Sequence, residues 1–428
     1  MARRPLALVV LLALAAAGTA VPFLRDGPAP EAARGFEDAI VLRGLREPLG
    51  VAFAADGRVF VAEKKGAVRV FPRLGARTST LWADLGRKTF TLGDRGLFGL
   101  ALGPTDGAVY VLYTFDGPVD ADEPLGRARC PELFEGGCVV SGRLSRLERG
   151  GRETVLVRGW CQQFASHGVG DLAFDEAATL YASGGEGASY ERVDTGAPGN
   201  VCGDPRGEGG ALRAQDASTT ADPTGVSGSV VAVDVRRGSH RIVAYGLRNP
   251  FRLAPRPESD ELWVGDVGST RSDELDVVDL GGAPPNFGWP CYEGGAPLRS
   301  YDEAGVPICE RLYAAENVTA PARVLPRDEE VLSGDGCGQG TQAISGLAFY
   351  RGGSYPARYR GALFFADFLR RCIWVALPDA DGRADPSRLE LFWRDIANPV
   401  KLVTGPGGDL YYLDFVGGTL HRLRYVGG

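Results

Sequence analysis

Residues 50–61 of the chain read GVAFAADGRVFV: a short apolar run, an Asp56-Gly57 turn, and a second run of β-branched and aromatic residues. This order of strand, tight turn and strand is typical of a β-hairpin. Similar segments occur five more times along the chain, which indicates an internal repeat. They begin at Gly99, Asp171, Phe251, Gly346 and Lys401.

Six hairpins spread over about 400 residues leave room for two more strands in each repeat. This predicts an all-β fold, a six-bladed β-propeller in which each blade is a four-stranded sheet. A β-sandwich would also contain recurring hairpins, but the shared Gly-Leu-Ala-Phe lead-in favours the propeller. The uneven spacing of the repeats predicts long loop insertions, tied by disulfides, near residues 115–160, 185–225 and 283–340. Loops of that length usually form a binding face.

The composition agrees with a turn-rich β protein. Gly accounts for 61 of the 428 residues and Pro for 28, and both residues disfavour helix interiors. The formal charge of -7 excludes general nucleic-acid binding, which needs a basic face. The chain has three histidines, His167, His240 and His421, and they are too scattered to favour a multi-histidine metal site.

The N-terminus is typical of a secretory signal, with two arginines, an apolar stretch and a small-residue cleavage site. An uncleaved N-terminal anchor is the alternative. We therefore predict a signal peptide over residues 1–20, a linker over 21–37 and the propeller over 38–428. The expected location is secreted, periplasmic or extracellular, with no membrane span in the mature chain.

An exported protein reaches an oxidising compartment, where disulfides form and persist. We therefore expect the eight cysteines to form disulfide bonds. The sequence does not fix how eight cysteines pair. Proximity along the chain suggests four bonds: Cys130–Cys138, Cys291–Cys309, Cys161–Cys202 and Cys337–Cys372. A metal-thiolate site is disfavoured because the chain has no Cys-x-x-Cys pair.

Three segments are candidates for a ligand-binding cup at one end of the propeller axis. The first is residues 166–171 (SHGVGD), where His167 lies between small residues at the start of the third repeat. Such a histidine can face a cavity and act as a general base, or it can simply bond to a loop carbonyl. His240 and His421 lie in polar stretches, and we expect both to be exposed and structural.

The second segment is residues 245–251 (YGLRNPF), in which Pro250 restricts Asn249 to an extended backbone. Arg248 and Asn249 would then present a guanidinium and an amide to a planar or anionic ligand, or Arg248 would brace the blade through backbone carbonyls. The third segment is residues 265–269 (GDVGS), followed by two acids. Its carbonyl and carboxylate oxygens suit Ca²⁺, although the spacing is not that of an EF-hand.

In this order, the segments resemble the glucose/sorbosone dehydrogenase family. The shared motifs are His-Gly-x-Gly-Asp-Leu, Gly-Leu-Arg-Asn-Pro, Gly-Asp-Val-Gly and Asn-Phe-Gly-Trp-Pro, and the resemblance runs from about residue 38 to residue 426. Residues 93–99 (GDRGLFG) and 370–374 (RRCIW) add two further matches. The family contains soluble sugar dehydrogenases that use pyrroloquinoline quinone (PQQ) with calcium, and it includes the propeller of hedgehog-interacting protein.

The resemblance implies roles for individual residues. His167 matches a catalytic base that takes the proton of a sugar's anomeric hydroxyl, after which hydride passes to the quinone C5 and a lactone forms. Arg248 and Asn249 match residues that hold the cofactor, and Arg248 would stabilise negative charge developing on its oxygen. Asp94 falls where a side chain contacts the substrate or the cofactor.

The resemblance also implies a calcium site and shows two departures near it. Gly268 and Ser269 match positions whose backbone carbonyls hold the calcium, which polarises the quinone. Phe251 stands where the family has a polar cofactor contact, and Ser166 replaces an acid before the base.

The positive charges expected around the PQQ carboxylates are changed as well. Arg370 falls where a lysine binds one carboxylate, so that charge is retained. Two arginines expected in the last repeat align with Asn398 and Val400, and Lys401 nearby would restore one charge. Losing two such contacts, each worth roughly 1.5–3 kcal/mol, would weaken PQQ binding by orders of magnitude.

Two functions of different classes follow from these residues. The first is a secreted, PQQ- and Ca²⁺-dependent aldose or pyranose dehydrogenase that passes electrons to an external acceptor. The second is a non-catalytic propeller that binds a protein or a glycan. His167 and Arg248 favour the first function, whereas Asn398 and Val400 favour the second. A calcium-dependent lactonase on a similar propeller has little specific support.

Overall fold

The computed structural model describes residues 33–126, 136–196, 201–219 and 225–427. Within these ranges the strands form six four-stranded antiparallel sheets and one small hairpin. The first strands of successive sheets contact one another in a closed ring, so the sheets are the blades of a propeller. The predicted six-bladed β-propeller is therefore confirmed.

Each blade takes four strands in chain order, except that the last blade borrows the first strand of the chain. This strand is β1 (Phe36–Arg43). Blade 1 contains β2 (Pro48–Phe53), β3 (Val59–Glu63), β4 (Ala67–Phe71) and β5 (Thr80–Asp84). Blade 2 contains β6 (Leu97–Leu102), β7 (Val109–Phe115), β8 (Val140–Leu147) and β9 (Glu153–Gln162). Blade 3 contains β10 (Val169–Phe174), β11 (Leu180–Gly184), β12 (Ser229–Asp234) and β13 (Ser239–Tyr245).

The second half of the ring follows the same plan with one inserted hairpin. Blade 4 contains β14 (Pro250–Pro255), β15 (Glu261–Asp266), β16 (Ser272–Asp279) and, after the hairpin of β17 (Tyr292–Glu293) and β18 (Ala296–Pro297), β19 (Arg323–Pro326). Blade 5 contains β20 (Ile344–Phe349), β21 (Leu363–Asp367), β22 (Cys372–Pro378) and β23 (Ala384–Trp393). Blade 6 contains β24 (Pro399–Thr404), β25 (Leu410–Asp414), β26 (Thr419–Tyr425) and β1.

The six predicted hairpins are the first two strands of the six blades. The glycine that begins three of these hairpins, Gly50, Gly99 and Gly346, has a packing reason, because the next blade lies against it. A Cβ added at Gly50 would lie 2.8 Å from the Cβ of Leu100, and one added at Gly99 would lie 2.8 Å from the Cγ of Leu172. Each glycine therefore makes room for the leucine of the following blade, and the apolar core lies between the blades.

The ring is closed by β1, which pairs antiparallel with β26 on the outer edge of blade 6. Asp38 of β1 places Oδ1 2.7 Å from Nδ1 of His421, and Nε2 of His421 lies 2.8 Å from the hydroxyl of Thr419. The expectation that His421 is exposed is wrong, because it is buried between Tyr412 and the closing strand. His240 is exposed, as expected.

The insertions carry the short helices and most of the disulfides. The helices are α1 (Arg299–Glu303) and α2 (Pro307–Ala315), with 3₁₀ turns at Gly210–Ser218, Ala357–Tyr359 and Pro406–Gly408. The predicted bonds Cys161–Cys202, Cys291–Cys309 and Cys337–Cys372 are confirmed.

Some predictions fall outside the described residues. Cys130 is among them, so the pair Cys130–Cys138 stays a prediction, as do the signal peptide over 1–20 and most of the linker. Within the described ranges, none of the helices has the length and apolar character needed to cross a bilayer.

Candidate functional site

A cavity of about 410 Å³ lies at one end of the propeller. Strand direction alternates within a blade, so the loop before the first strand and the loop between the second and third strands meet at the same end. These two loop classes supply most of the cavity lining. Of the residues predicted for the site, the cavity is lined by Asp94, His167, Arg248, Asn249, Gly268 and Ser269. A volume of this size suits a small organic ligand.

His167 lies just before β10 and is held by a buried carboxylate. Its Nδ1 is 2.6 Å from Oε1 of Glu186, which follows β11 of the same blade. Both side chains are almost fully buried, and the second oxygen of Glu186 has no hydrogen-bond partner among the described residues. Because Nδ1 is engaged, Nε2 is the nitrogen left for a ligand in the cavity.

Burial controls the protonation of this pair. It lowers the pKa of His167 well below its usual value, and the nearby charge of Arg248 adds to that effect. Burial raises the pKa of Glu186 to about 8, although Arg248 opposes the shift. A neutral imidazole beside a carboxylate that titrates near pH 8 is a suitable arrangement for a general base in mildly alkaline solution.

Arg248 and Asn249 lie just before β14 and are fixed by Asp266 at the end of β15. The carboxylate of Asp266 accepts hydrogen bonds from the backbone N–H of Arg248 at 2.9 Å and of Asn249 at 2.6 Å. The guanidinium of Arg248 lies over the ring of Trp289, and its Nε has no hydrogen-bond partner among the described residues. Arg248 therefore braces the blade through backbone carbonyls and also lines the cavity, while its binding of a ligand stays a prediction.

The turn after β15 does not offer the free carbonyls that a calcium ion needs. The carbonyl oxygen of Gly268 accepts a hydrogen bond from Nη1 of Arg248 at 2.6 Å, and that of Val267 accepts one from the same nitrogen at 2.9 Å. The backbone N–H of Ser269 donates to Glu293. With a guanidinium already on the carbonyl oxygens of Val267 and Gly268, Gly268 does not fit Ca²⁺ in this arrangement, and the role of Ser269 in a calcium site stays a prediction.

An acidic cluster in blade 4 is a better donor set for a metal. One carboxylate oxygen from each of Asp266, Glu274 and Asp276 lies within 4.8 Å of the others, and all three residues are buried. Neither oxygen of Asp276 has a hydrogen-bond partner among the described residues. Burial raises the pKa of all three groups, that of Asp266 to about 7, and repulsion by neighbouring carboxylates adds to each shift. Three buried carboxylates that converge in this way are typical of a hard-cation site.

Asp94 reaches the cavity from the loop before β6, together with a lysine that sequence reasoning missed. Lys64 follows β3, is buried, and donates from Nζ to the carbonyl oxygen of Gly93 at 3.0 Å. Burial raises the pKa of Asp94 and lowers that of Lys64, because each charge has lost its water. No motif in the sequence surrounds Lys64, so the sequence carries no signal for it.

Part of the cavity lining is apolar. Phe251 lines it with Phe98, and the two rings meet edge to face with centroids 5.8 Å apart. Val400 also lines the cavity, at a position where the family resemblance implies an arginine. Arg327, which sequence reasoning also missed, reaches the cavity from the loop between β19 and β20.

Two predicted cofactor residues are engaged elsewhere. Lys401 is buried and pairs with the carboxylate of Asp171, which belongs to blade 3 on the far side of the ring. Arg370 donates from Nη2 to the backbone carbonyl of Pro326 at 2.8 Å and to Oε1 of Gln342 at 2.9 Å. Neither side chain lines the cavity, so the structure does not bring them to the other site residues.

The residues that line the cavity fit PQQ, a flat aromatic quinone with three carboxylates. Apolar rings on one wall suit a flat aromatic molecule. In the same cavity, Arg248 and Arg327 each keep buried guanidinium nitrogens without a hydrogen-bond partner among the described residues. Burying such nitrogens costs free energy unless an anionic ligand accepts their hydrogen bonds.

Comparison with known proteins identifies the family of the chain. The sequence model of the Glucose / Sorbosone dehydrogenase family matches residues 45–420. The chain belongs to this family. The family is named for dehydrogenases of glucose and sorbosone, which are oxidoreductases that act on sugars.

Individual members of the glucose/sorbosone dehydrogenase family are distant. The aldose sugar dehydrogenase YliI of Escherichia coli (strain K12) is 27% identical over 173 residues, a match that spans only 40% of each chain. The PQQ-bound form of an aldose sugar dehydrogenase from Streptomyces coelicolor superposes with a TM-score of 0.61 at 18% identity, covering 92% of this chain and 99% of that one. The apo form of the aldose sugar dehydrogenase of Escherichia coli gives a TM-score of 0.60 at 19% identity, with coverage of 91% and 98%. These superpositions establish a shared fold.

Proposed function

We propose that this protein is a PQQ-dependent sugar dehydrogenase, which oxidises the anomeric hydroxyl of an aldose or pyranose to a lactone by base-assisted hydride transfer to PQQ. The observation that carries the proposal is the buried His167–Glu186 pair, which faces a cavity shared with Arg248 and Asn249. A histidine held by a carboxylate and aimed at a ligand cavity is the arrangement that abstraction of a hydroxyl proton requires.

His167 and Glu186 perform the proton transfer. Ionised Glu186 accepts the hydrogen bond from Nδ1–H, which fixes the tautomer and leaves the lone pair of Nε2 towards the cavity. The sugar hydroxyl donates its proton to Nε2, and the carboxylate stabilises the imidazolium that forms. Because burial lowers the pKa of His167, the ring is neutral before the substrate arrives.

The other lining residues bind and orient. Arg248 and Asn249 would hold the cofactor, and the charge of Arg248 would stabilise negative charge on an oxygen next to it. Asp94 would accept a hydrogen bond from a sugar hydroxyl, and Phe251 with its apolar neighbours excludes water from the reacting atoms. When bound, PQQ would supply the two-electron acceptor that protein side chains lack.

Calcium would be held at the acidic cluster rather than at Gly268 and Ser269. The three carboxylates of Asp266, Glu274 and Asp276 would surround the ion with charged oxygens, and the ion would neutralise their mutual repulsion. Because Asp266 also binds the backbone of Arg248, a cation there would hold the cavity wall in place. Its role would be structural.

The site of action would be outside the cytoplasm, with electrons leaving to an external acceptor. The predicted signal over residues 1–20 supports export. The three described disulfides also support it, because such bonds form and persist in oxidising compartments.

A second candidate is a propeller that binds a protein or a glycan without catalysis. The observation that favours it is the loss of positive charge on one wall, where Val400 lines the cavity and Lys401 turns to Asp171. This candidate predicts an empty cavity in the presence of PQQ, whereas the dehydrogenase predicts binding.

The test combines cofactor binding with turnover. The mature chain is prepared with Ca²⁺, titrated with PQQ by absorbance, and assayed for dye reduction with several aldoses. We expect PQQ to bind at micromolar concentration and dye reduction to depend on the sugar. In His167→Ala we expect PQQ binding to persist and turnover to fall by about 10²- to 10⁴-fold, the usual contribution of a general base.

The exposed histidine provides a matched control. His240→Ala removes the same side chain from the surface, and we expect it to keep full activity. Absence of PQQ binding to the wild-type protein would rule out the dehydrogenase. Normal turnover in His167→Ala with PQQ bound would mean that another group is the base.

A further inference from the structure

Arg327 is a cation of the cavity wall that the mechanism above does not use. It follows β19 by one residue and is buried, with 9% of its surface exposed. Its Nε and Nη2 have no hydrogen-bond partner among the described residues. The Oδ1 atom of Asp273 lies 3.7 Å from Nη2, which is beyond hydrogen-bond range. The structure therefore places buried donors at the cavity without acceptors for them.

Asp273 accepts no hydrogen bond from the guanidinium of Arg327, because both of its oxygens accept backbone N–H groups. Its Oδ1 accepts the backbone N–H of Gly268 at 3.1 Å, and its Oδ2 accepts the backbone N–H of Ile344 at 2.7 Å. The 3.7 Å contact between Oδ1 of Asp273 and Nη2 of Arg327 is an ion pair without a hydrogen bond. Nε and Nη2 of Arg327 can therefore still donate hydrogen bonds to a ligand.

Arg327 and Arg248 flank the same turn of the cavity wall. The N–H of Gly268 binds Asp273, beside Arg327, while the C=O of Gly268 accepts from Arg248. Two guanidinium groups on either side of one turn form a positive edge. A planar ligand with carboxylates on its rim is complementary to such an edge, because each guanidinium can bind a carboxylate through two parallel hydrogen bonds.

The loop that carries Arg327 is held firmly. Nη2 of Arg370 donates to the carbonyl oxygens of Pro326 at 2.8 Å, Arg327 at 3.2 Å and Glu329 at 3.0 Å. The disulfide Cys337–Cys372 ties the same loop to the start of β22. A side chain on a braced loop loses little entropy on binding, so the loop is suited to ligand recognition.

We propose that Arg327 binds a carboxylate group of the cavity's ligand and that Arg370 acts as a positioning residue for it. In the dehydrogenase this carboxylate belongs to PQQ, and to that extent the inference rests on the proposed function; an acidic sugar is the second source of the same chemistry. The charge that the resemblance assigned to the last repeat is thereby supplied from the loop between blades 4 and 5.

The experiment titrates the apoprotein with PQQ by absorbance and by tryptophan fluorescence, and with D-glucuronate and D-glucose by calorimetry. We expect Arg327→Met to weaken PQQ binding by about 10- to 100-fold, the range for a buried charge-assisted pair, and Arg327→Lys to weaken it less. The control is Arg360→Met, which removes the same charge from an exposed position of blade 5 and should leave all affinities unchanged.

Arg370→Met tests the positioning role. We expect it to weaken PQQ binding in the wild-type background but to add little in Arg327→Met, because the two residues act through one contact. Equal effects in both backgrounds would show that Arg370 acts by another route. Circular dichroism and thermal unfolding verify that each variant is folded.

The titrations with PQQ and with glucuronate distinguish the two possible sources of the carboxylate. A loss of PQQ affinity in Arg327→Met assigns the contact to the cofactor. Unchanged PQQ affinity with a selective loss of glucuronate over glucose binding assigns it to the substrate. Unchanged affinity for both PQQ and glucuronate overturns the inference while the dehydrogenase stands. If wild-type protein binds neither PQQ nor glucuronate, both the inference and the proposed function fail.

Discussion

One proton between His167 and Glu186 decides which nitrogen of the imidazole faces the cavity. When Glu186 is ionised, Nδ1 keeps the proton and Nε2 is free to accept another. When Glu186 is protonated, its O–H donates to Nδ1 and the ring proton moves to Nε2, where the base is blocked. Since burial raises the pKa of Glu186 to about 8, the active form is the high-pH form.

We therefore predict that kcat/KM rises with pH through about 8, because deprotonating Glu186 in the free enzyme creates the competent tautomer. Glu186→Gln should remove this rise and lower the plateau by about 10- to 100-fold, since an amide cannot stabilise the imidazolium as a carboxylate does. The measurement is kcat/KM from pH 6 to pH 10 with the cofactor saturating. A profile that is the same in wild type and Glu186→Gln would contradict the assignment.

At the residue scale, the sequence predicted the members of the site that lie in contiguous motifs. His167, Arg248 and Asn249 are flanked by glycine and proline in recognisable order, so they could be placed. Glu186 could not, because it lies 19 residues from His167 and only the turn after β11 brings the two together. Lys401 carries the right charge, but its sequence neighbours do not indicate that it turns to Asp171.

At the scale of the element, blade 4 combines the cofactor-binding pair with the acidic cluster. The loop before β14 supplies Arg248 and Asn249, while β15 and β16 supply the three carboxylates. Asp266 belongs to both groups, because it accepts the backbone N–H bonds of the pair. A cation bound by the cluster would therefore stabilise the blade and the cavity wall together.

We predict that Ca²⁺ raises the unfolding temperature of the protein and that EDTA lowers it. At a calcium concentration 100-fold above its dissociation constant, the gain is about 2.7 kcal/mol. Asp276→Asn should be more stable than wild type in EDTA, because it removes a buried carboxylate with two unpartnered oxygens, and it should lose most of the calcium response. Thermal unfolding with Ca²⁺ and with EDTA measures both effects.

The same strand supplies the control for this prediction. Asp279→Asn makes the identical change at the exposed end of β16, and its response to calcium should match that of wild type. A full calcium response in Asp276→Asn would place the ion elsewhere.

The sequence predicted the strands that pair with their neighbours in the chain and missed the strand that pairs with a distant segment. The first two strands of each blade form hairpins with short turns and a shared lead-in, so residues 50–61 and their five counterparts were sufficient to count the blades. The closing strand β1 carries no such signal, because its partner β26 lies at the other end of the chain. The predicted exposure of His421 was wrong for the same reason, since β1 is what covers it.

At the scale of the whole molecule, opposite blades are tied across the axis. Lys401 of β24 reaches Asp171 of β10, which is three blades away in a ring of six. Arg252 of blade 4 is fully buried and donates from Nε to the carbonyl oxygens of Ser345 and Val400, each at 2.9 Å. These charged side chains lie on the innermost strands of three blades. Removing one of them would therefore weaken the contacts between several blades at once.

We predict that Lys401→Met destabilises the whole propeller without emptying its cavity. Removing the ammonium leaves the buried carboxylate of Asp171 with backbone N–H partners but without its cation, which costs about 3–5 kcal/mol, whereas Lys65→Met, on the surface, should cost almost nothing. The double variant Lys401→Met with Asp171→Asn should recover part of the loss, because the carboxylate is removed together with its cation. Denaturant unfolding measures these differences, and a PQQ titration of the same proteins separates the two roles of Lys401. Unchanged stability with greatly weakened PQQ binding would show that the lysine holds the cofactor rather than the ring.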